Sequence, residues 1–249
     1  MTDITWMTNF ETTIWYFPKD IPSSDPIHGL DSYPGRFPPT IPKILIQKYS
    51  KEGEFVLDPF LGGGTTIIEA KISKRNGIGI DTNSKAIEIA NKRLANIKTN
   101  NNLQINTLVG DARRLFLKDE TIDLIITSPP YWNLIKYSEE KNCLANLERF
   151  EDFLFGLQMS IKEMYRVLKP NKWCCIVIGD SIDGWAFYPL GYKIQKIVEE
   201  AGFIIQRVII HIQSRTNSFL FSNKKVKNRV LERGLFLIAH EYIIICQKK

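Results

Sequence analysis

Long apolar runs are missing from this chain of 249 residues. No stretch approaches the roughly 18 consecutive apolar residues that a membrane-spanning helix needs, so no membrane association of that kind is expected. Met1 to Tyr16 has neither the basic start nor the apolar centre of a secretory signal, which points to the cytoplasm. Cysteine is scarce, and Cys143, Cys174, Cys175 and Cys246 show no metal-ligand spacing. Cys174 and Cys175 are adjacent inside an apolar run, so the expectation is buried free thiols and no metal. Gly-Lys-Ser/Thr is absent, which removes a P-loop. Internal repeats, low-complexity tracts and Gly/Ser linkers are also lacking. What remains is 44% hydrophobic and 24% charged, the balance of an ordinary globular protein. The length suits one substantial α/β domain spanning 1–249. The formal charge of +6 permits a polyanionic partner without requiring one.

Residues 1–40 are irregular and rich in Pro, Ser and aromatics. Beyond them, apolar runs alternate with helical patterns. Strands are expected at Phe55–Asp58, Asn76–Asp81, Gln104–Val109, Ile122–Thr127, Trp173–Ile178, Phe203–Ile212 and Glu241–Cys246. Helices are expected near Ile41–Tyr49 and at Thr65–Ser73, Ser84–Ile97, Phe150–Leu168 and Leu190–Ala201. Ile87, Ala90, Leu94 and Ile97 share one helix face, as do Phe153, Leu157, Ile161, Met164 and Leu168. Such alternation predicts a mostly parallel sheet of seven strands with helices on both faces. Ligands of such sheets bind at the carboxyl ends of the strands.

Each motif lies at such an end. Asp58-Pro59-Phe60-Leu61-Gly62-Gly63-Gly64-Thr65-Thr66 runs from a strand through a glycine-rich turn into a helix, where the backbone turns sharply and a ligand can come close. A dinucleotide site wants one more glycine further on, but Thr66 and Ile67 stand there. Asp81 ends the next strand, about twenty residues beyond the glycines, placed to accept from ribose hydroxyls. The alternative is a helix N-cap, which Asn83 or Ser84 fills better. Gly110-Asp111-Ala112 ends the third strand, with Asp111 placed to accept from an adenine amino group. Acidic groups at successive strand ends repel a pyrophosphate and attract a cationic sulfonium, so S-adenosylmethionine is the expected cofactor.

Ser128-Pro129-Pro130-Tyr131-Trp132 follows the apolar strand Ile122–Thr127. Two prolines fix φ, supply no N–H, and leave a rigid turn whose carbonyls act as acceptors. With the glycine loop upstream, the sequence resembles the amino-methylating DNA methyltransferases, which modify cytosine N4 or adenine N6. Residues 58–66 match their pattern Asp-Pro-Phe-x-Gly-x-Gly-Thr-Thr, and 128–131 match Asp/Asn/Ser-Pro-Pro-Tyr/Phe. Tyr33-Pro34-Gly35-Arg36-Phe37-Pro38 is similar to the segment that closes over the methionine end of the cofactor. Arg166–Pro170, Gly179-Asp180 and His240-Glu241-Tyr242 also fit, so the resemblance covers about residues 28–247. It implies a Rossmann-like class I methyltransferase fold. Serine in the first catalytic position followed by Tyr-Trp looks like the cytosine-N4 group. The implied roles are catalytic for Ser128, Pro129, Pro130 and Tyr131. Tyr33, Phe37, Asp58, Pro59, Phe60, Gly62, Gly64, Thr65, Thr66, Asp81, Asp111 and Ala112 are expected around the cofactor. Ser128 Oγ and the Pro129 carbonyl accept from the amino hydrogens, and Tyr131 stacks on a base flipped from the duplex. Methylation at cytosine C5 needs a cysteine nucleophile, and this chain has no Pro-Cys dipeptide.

Residues 212–233 carry Arg215, Lys224, Lys225, Lys227, Arg229 and Arg233 against Glu232, with polar residues interleaved. This loop is the candidate DNA contact, clamping phosphates and reaching base edges. Trp132 is expected to touch DNA as well. A larger target-recognition region has no room here, so recognition is limited to a short site or shared with a second subunit. The alternatives are adenine N6, an RNA guanine-N2 methyltransferase, and a DNA-binding subunit without catalysis.

Overall fold

The computed structural model describes residues 10–17, 27–28, 38–99, 102–132, 143–183, 186–213, 228, 230–232, 234 and 237–249. In chain order its elements are β1 (Ile14–Tyr16), α1 (Thr40–Tyr49), β2 (Phe55–Asp58), α2 (Thr65–Ile72), β3 (Asn76–Asp81), α3 (Ser84–Ala95), β4 (Ile105–Val109) and β5 (Ile122–Thr127). Then come α4 (Phe150–Val167), β6 (Leu168–Ile178), β7 (Ser181–Asp183), β8 (Ala186–Tyr188), α5 (Leu190–Glu200), β9 (Ile204–Ile212) and β10 (His240–Gln247). Among the described residues, eight strands form one sheet in the order β1-β9-β10-β6-β5-β2-β3-β4. Only β10 runs against the rest.

The central strand β5 reads Ile-Asp-Leu-Ile-Ile-Thr and is buried along its whole length, as a parallel strand covered on both faces must be. Its side chains alternate between two cores. Ile122 and Ile125 join Phe153, Leu157 and Ile161 of α4 and Ile194 of α5. Leu124 and Ile126 join Ile41, Leu45 and Ile46 of α1. α2 and α3 close a third cluster through Ile67, Ile68, Ile87 and Ala90.

The sheet has eight strands where seven are expected, and the extra one is β1, inside the stretch read as irregular. Three residues are too few to display a period. Pairing specifies the strand: Ile14, Trp15 and Tyr16 lie beside Ile210, His211 and Ile212, and Trp15 is 2% exposed. β6 starts at Leu168 rather than Trp173, because α4 passes into it without a loop. Pro170 and Asn171 (φ 62°) disguise its first residues as a turn, and the pairing with β5 shifts register there. The hairpin β7–β8 is likewise unanticipated. No helix of the described residues is long and apolar enough to cross a membrane. All four cysteines are buried free thiols, as expected.

Candidate active site

Chain order moves outward from β2 to β3 and β4, then returns to β5 on the other side of β2. The sheet therefore reverses direction between β2 and β5, where doubly wound sheets place their ligands. The glycine loop leaves β2 and the Ser-Pro-Pro turn leaves β5, so the two motifs issue from neighbouring strands. A direct bond ties them: Thr127 Oγ1, the last residue of β5, donates to Asp58 Oδ1 at 2.7 Å.

The loop's shape depends on glycine. Gly64 has φ 84°, and a Cβ there would stand 2.8 Å from the Cβ of Ala90 in α3. Its N–H bonds Leu61 O at 2.8 Å, and Leu61 N bonds Ile80 O at 2.9 Å, pinning the turn against β3. Pro59, Thr65 and Thr66 are buried, while Phe60 and Gly62 are partly exposed. Asp81 braces the same turn. Its Oδ2 accepts from Gly62 N at 2.8 Å and its Oδ1 from Asn83 N at 2.9 Å. A carboxylate has about four acceptor positions, so acceptor capacity remains for a ligand. Burial raises the Asp81 pKa against these bonds. The N-cap of α3 is Asn83, whose side chain accepts from Lys85 N, so Asp81 is not needed for that task.

Asp58 is 1% exposed. Burial pushes its carboxyl up to about 6, with the charge of Asp81 adding to the rise and hydrogen bonds from Thr127 and Phe60 opposing it. The folded value exceeds the ordinary 3.8. On acidification the folded state therefore takes up this proton before the unfolded chain does. The contribution to stability is fully present below about pH 4 and is lost as pH rises through about 6. Asp58→Asn keeps an acceptor for Thr127 and Phe60 while removing the buried charge. Urea unfolding at pH 7 is expected to show the variant more stable by up to about 3 kcal/mol, with the gain fading toward pH 4. Equal stability of the two proteins at pH 7 would contradict the cost assigned to this charge. Thr66 Oγ1 lies near Asp58 yet is fully buried without a well-formed hydrogen bond, alone in this among the described side chains.

Asp111, expected to accept from an adenine amino group, already has a protein partner. Arg113 grips both its oxygens, with Nη2 on Oδ2 at 2.6 Å and Nε on Oδ1 at 2.9 Å. Burial alone would raise its pKa, but the bonds and charge of Arg113 hold it below the ordinary value. One of the acidic groups expected to face a cation is thus already paired. Ala112 beside it is buried.

The Ser-Pro-Pro turn is anchored on both sides. Ser128 and Pro130 are partly exposed and Pro129 is buried. Tyr131 is 8% exposed. Its hydroxyl donates to Glu241 Oε1 at 3.0 Å and accepts from Gly179 N at 3.1 Å. The ring is therefore seated in the sheet rather than standing free. Trp132 corrects the expectation of a DNA contact. It is 6% exposed, its Nε1 donates to Leu147 O at 2.8 Å, and its ring lies 5.1 Å from Phe150 and 4.7 Å from Tyr188. It is a core residue. An indole that buries this much area and satisfies its N–H gains little from a surface position.

The sequence reading missed a buried cluster behind the glycine loop. Arg93 of α3 is 2% exposed. It donates to Gly63 O and to Ile27 O, and its Nη2 lies 3.2 Å from His28 Nδ1. His28 Nε2 lies 2.7 Å from Glu69 Oε1 of α2. The cluster joins both helices, the loop and the segment at Ile27-His28. Its signal was an arginine on the apolar face marked by Ala90 and Leu94, since a buried arginine must be paired. Tyr33, Phe37, Arg215, Lys224, Lys225, Lys227 and Arg229 lie outside the described residues. The ends of the connection carrying the last five are placed, however. His240 pairs with Ile212 and Tyr242 with Ile178, so it leaves and rejoins the sheet at the edge where β5 delivers Ser128.

The sequence profile of a family described as DNA methylase matches residues 7–92 and 122–249, and that of a methyltransferase domain matches 56–151. A type II methyltransferase, M.BglI of Bacillus subtilis, is 34% identical over 89 residues, 36% of this chain and 24% of that protein. M.HinfI of Haemophilus influenzae is 48% identical over 60 residues, 24% of this chain and 16% of that protein. A tRNA (guanine(10)-N2)-dimethyltransferase of Methanothermobacter thermautotrophicus is 32% identical over 100 residues, 40% of this chain and 29% of that protein. The matched stretches thus span under a third of these relatives' own lengths. Among solved structures, a SAM-dependent methyltransferase of Methanosarcina mazei superposes with TM-score 0.57 at 18% identity, covering 88% of this chain and 99% of that one. The fold is that of the Rossmann-like methyltransferases.

Proposed function

We propose, from the premise that this chain belongs to the DNA methylase family, that it is a site-specific DNA methyltransferase using S-adenosylmethionine and acting on the N4 amino group of cytosine. The observation that carries the reading is the junction of the two loops at the β2–β5 switch point, tied by Thr127 and Asp58. The cofactor loop and the catalytic turn are held in one register by that bond.

The residues at the ends of β2 and β3 fit the cofactor. Gly62, Gly63 and Gly64 carry no side chain, Asp81 keeps an acceptor position, and Asp58 and Asp81 set negative charge beside the loop. S-adenosylmethionine, when bound, supplies an electrophilic methyl group on a sulfonium centre. The protein's own task is to prepare the amine. An exocyclic amino group is a poor nucleophile because its lone pair is delocalised into the ring. Ser128 Oγ and the Pro129 carbonyl accept hydrogen bonds from its two N–H groups, which draws the nitrogen toward sp³ geometry and localises the lone pair. One of those protons leaves to solvent once the amine is methylated. No residue forms a covalent bond to the base. Proximity and preorganised acceptors supply the rate. The basic connection between β9 and β10 is the part of this reading that meets the phosphates.

Support for cytosine over adenine comes from serine in the first position of the catalytic motif. Adenine presents a similar N–C=N edge and is the second reading. Digesting methylated duplex DNA to nucleosides for mass spectrometry decides between them. N4-methylcytosine as the main product is expected. N6-methyladenine alone would move the target while leaving fold and mechanism in place.

A further inference from the structure

Beneath Tyr131 lies a polar seat that the chemistry above does not use. Glu241 of β10 and His211 of β9 are directly opposed in the sheet, and they are 8% and 3% exposed. Tyr131 takes Glu241 Oε1, while His211 Nδ1 lies 3.3 Å from Oε2. Phe17 covers the imidazole, with ring centres 5.0 Å apart. Gly179, at the end of β6, lets the tyrosine ring approach. A Cβ there would stand 3.1 Å from Tyr131 Cε1 and 3.3 Å from its hydroxyl oxygen.

A buried carboxylate is costly unless its oxygens are engaged. The sheet itself does not call for one: Ile209, Ile243 and Ile245 fill the neighbouring buried positions of these strands with hydrocarbon. The polar group appears at the end of β9 and β10 that lies nearest the catalytic turn. Further along, Ser181 Oγ donates to Trp132 O at 3.2 Å. The turn Ser128–Pro130 is therefore held before it by Thr127 on Asp58 and after it by Tyr131 and Trp132.

We propose that Glu241, backed by His211, is a positioning residue that fixes Tyr131 and through it the Ser128-Pro129-Pro130 turn. This rests on the methyltransferase reading above. Tyr131 is joined directly to Pro130, so pinning its hydroxyl fixes the backbone from which the amine's acceptors project. Small misplacements of such groups reduce turnover far more than binding.

The test is a double-mutant cycle on the full chain with duplex DNA, using Tyr131→Phe, Glu241→Ala and their combination, with Glu241→Gln as the conservative variant. Each single change is expected to lower kcat about tenfold to a hundredfold, with KM for S-adenosylmethionine within a few-fold. The double variant should be no slower than the slower single, and Glu241→Gln, which keeps an acceptor for Tyr131, should recover most of the loss. Lowered melting temperature with unchanged kcat would make the seat merely structural and overturn the proposal, as would losses that multiply. Where Glu241→Ala fails to fold, Tyr131→Phe removes a single oxygen and carries the test, and a full rate in that variant overturns it. Wild-type protein that methylates no DNA defeats the functional reading and this role with it. An active wild type with unaffected variants removes the role alone.

Discussion

Replacing Ser128 by alanine is expected to lower the rate of methyl transfer about a hundredfold to a thousandfold, with cofactor affinity within a few-fold of wild type. In the mechanism proposed, the turn offers two acceptors to the amine, the serine hydroxyl and the Pro129 carbonyl, and the variant removes one. Proline fixes φ on both sides of the second acceptor, so the backbone cannot swing to compensate. Ser128 follows the buried strand β5, whose residues make the core, and alanine at this partly exposed position leaves that packing intact. An effect confined to kcat is the signature of an interaction made in the transition state rather than in cofactor binding. Single-turnover transfer of labelled methyl, with calorimetry for cofactor affinity, checks both halves. A normal rate in Ser128→Ala would remove the serine from the mechanism.

Asp81→Ala is expected to weaken S-adenosylmethionine binding about tenfold to a hundredfold. Two effects combine. Gly62 N and Asn83 N lose their acceptor, so the glycine loop is no longer braced against β3. The remaining acceptor position, assigned to a cofactor hydroxyl, is lost as well. Asp81→Asn keeps one carbonyl oxygen and should fall between the two. Calorimetric titration gives the three constants directly. Unchanged affinity in Asp81→Ala would mean the cofactor does not rest on the end of β3.

The parts of the fold that showed in the sequence are those that local pattern determines. β2, β3 and β5 begin and end where expected because each is closed at its carboxyl end by a motif that the sequence displays. β1 was hidden because only β9 specifies it, and the start of β6 because a proline and a positive-φ asparagine imitate a turn. The site divides in the same way. The glycine loop, Asp58, Asp81 and the Ser-Pro-Pro turn are contiguous signals read off the chain. Arg113 on Asp111, Arg93 behind Gly63 and Glu241 under Tyr131 are not. Glu241 meets Tyr131 across 110 residues of chain, and no spacing rule reaches so far. Trp132 was misplaced for a related reason. Its partners, Leu147, Phe150 and Tyr188, come from segments that meet it only in the folded protein.

Transfer of a labelled methyl group from S-adenosylmethionine by the purified chain tests the central claim most directly. The reaction is run with duplex DNA, with tRNA, and with no nucleic acid. Label is expected in the DNA alone, alkali-stable and released on digestion as a base methylated on its amino group. Label entering tRNA in preference to DNA, or no transfer to DNA by protein that binds the cofactor, would contradict the account.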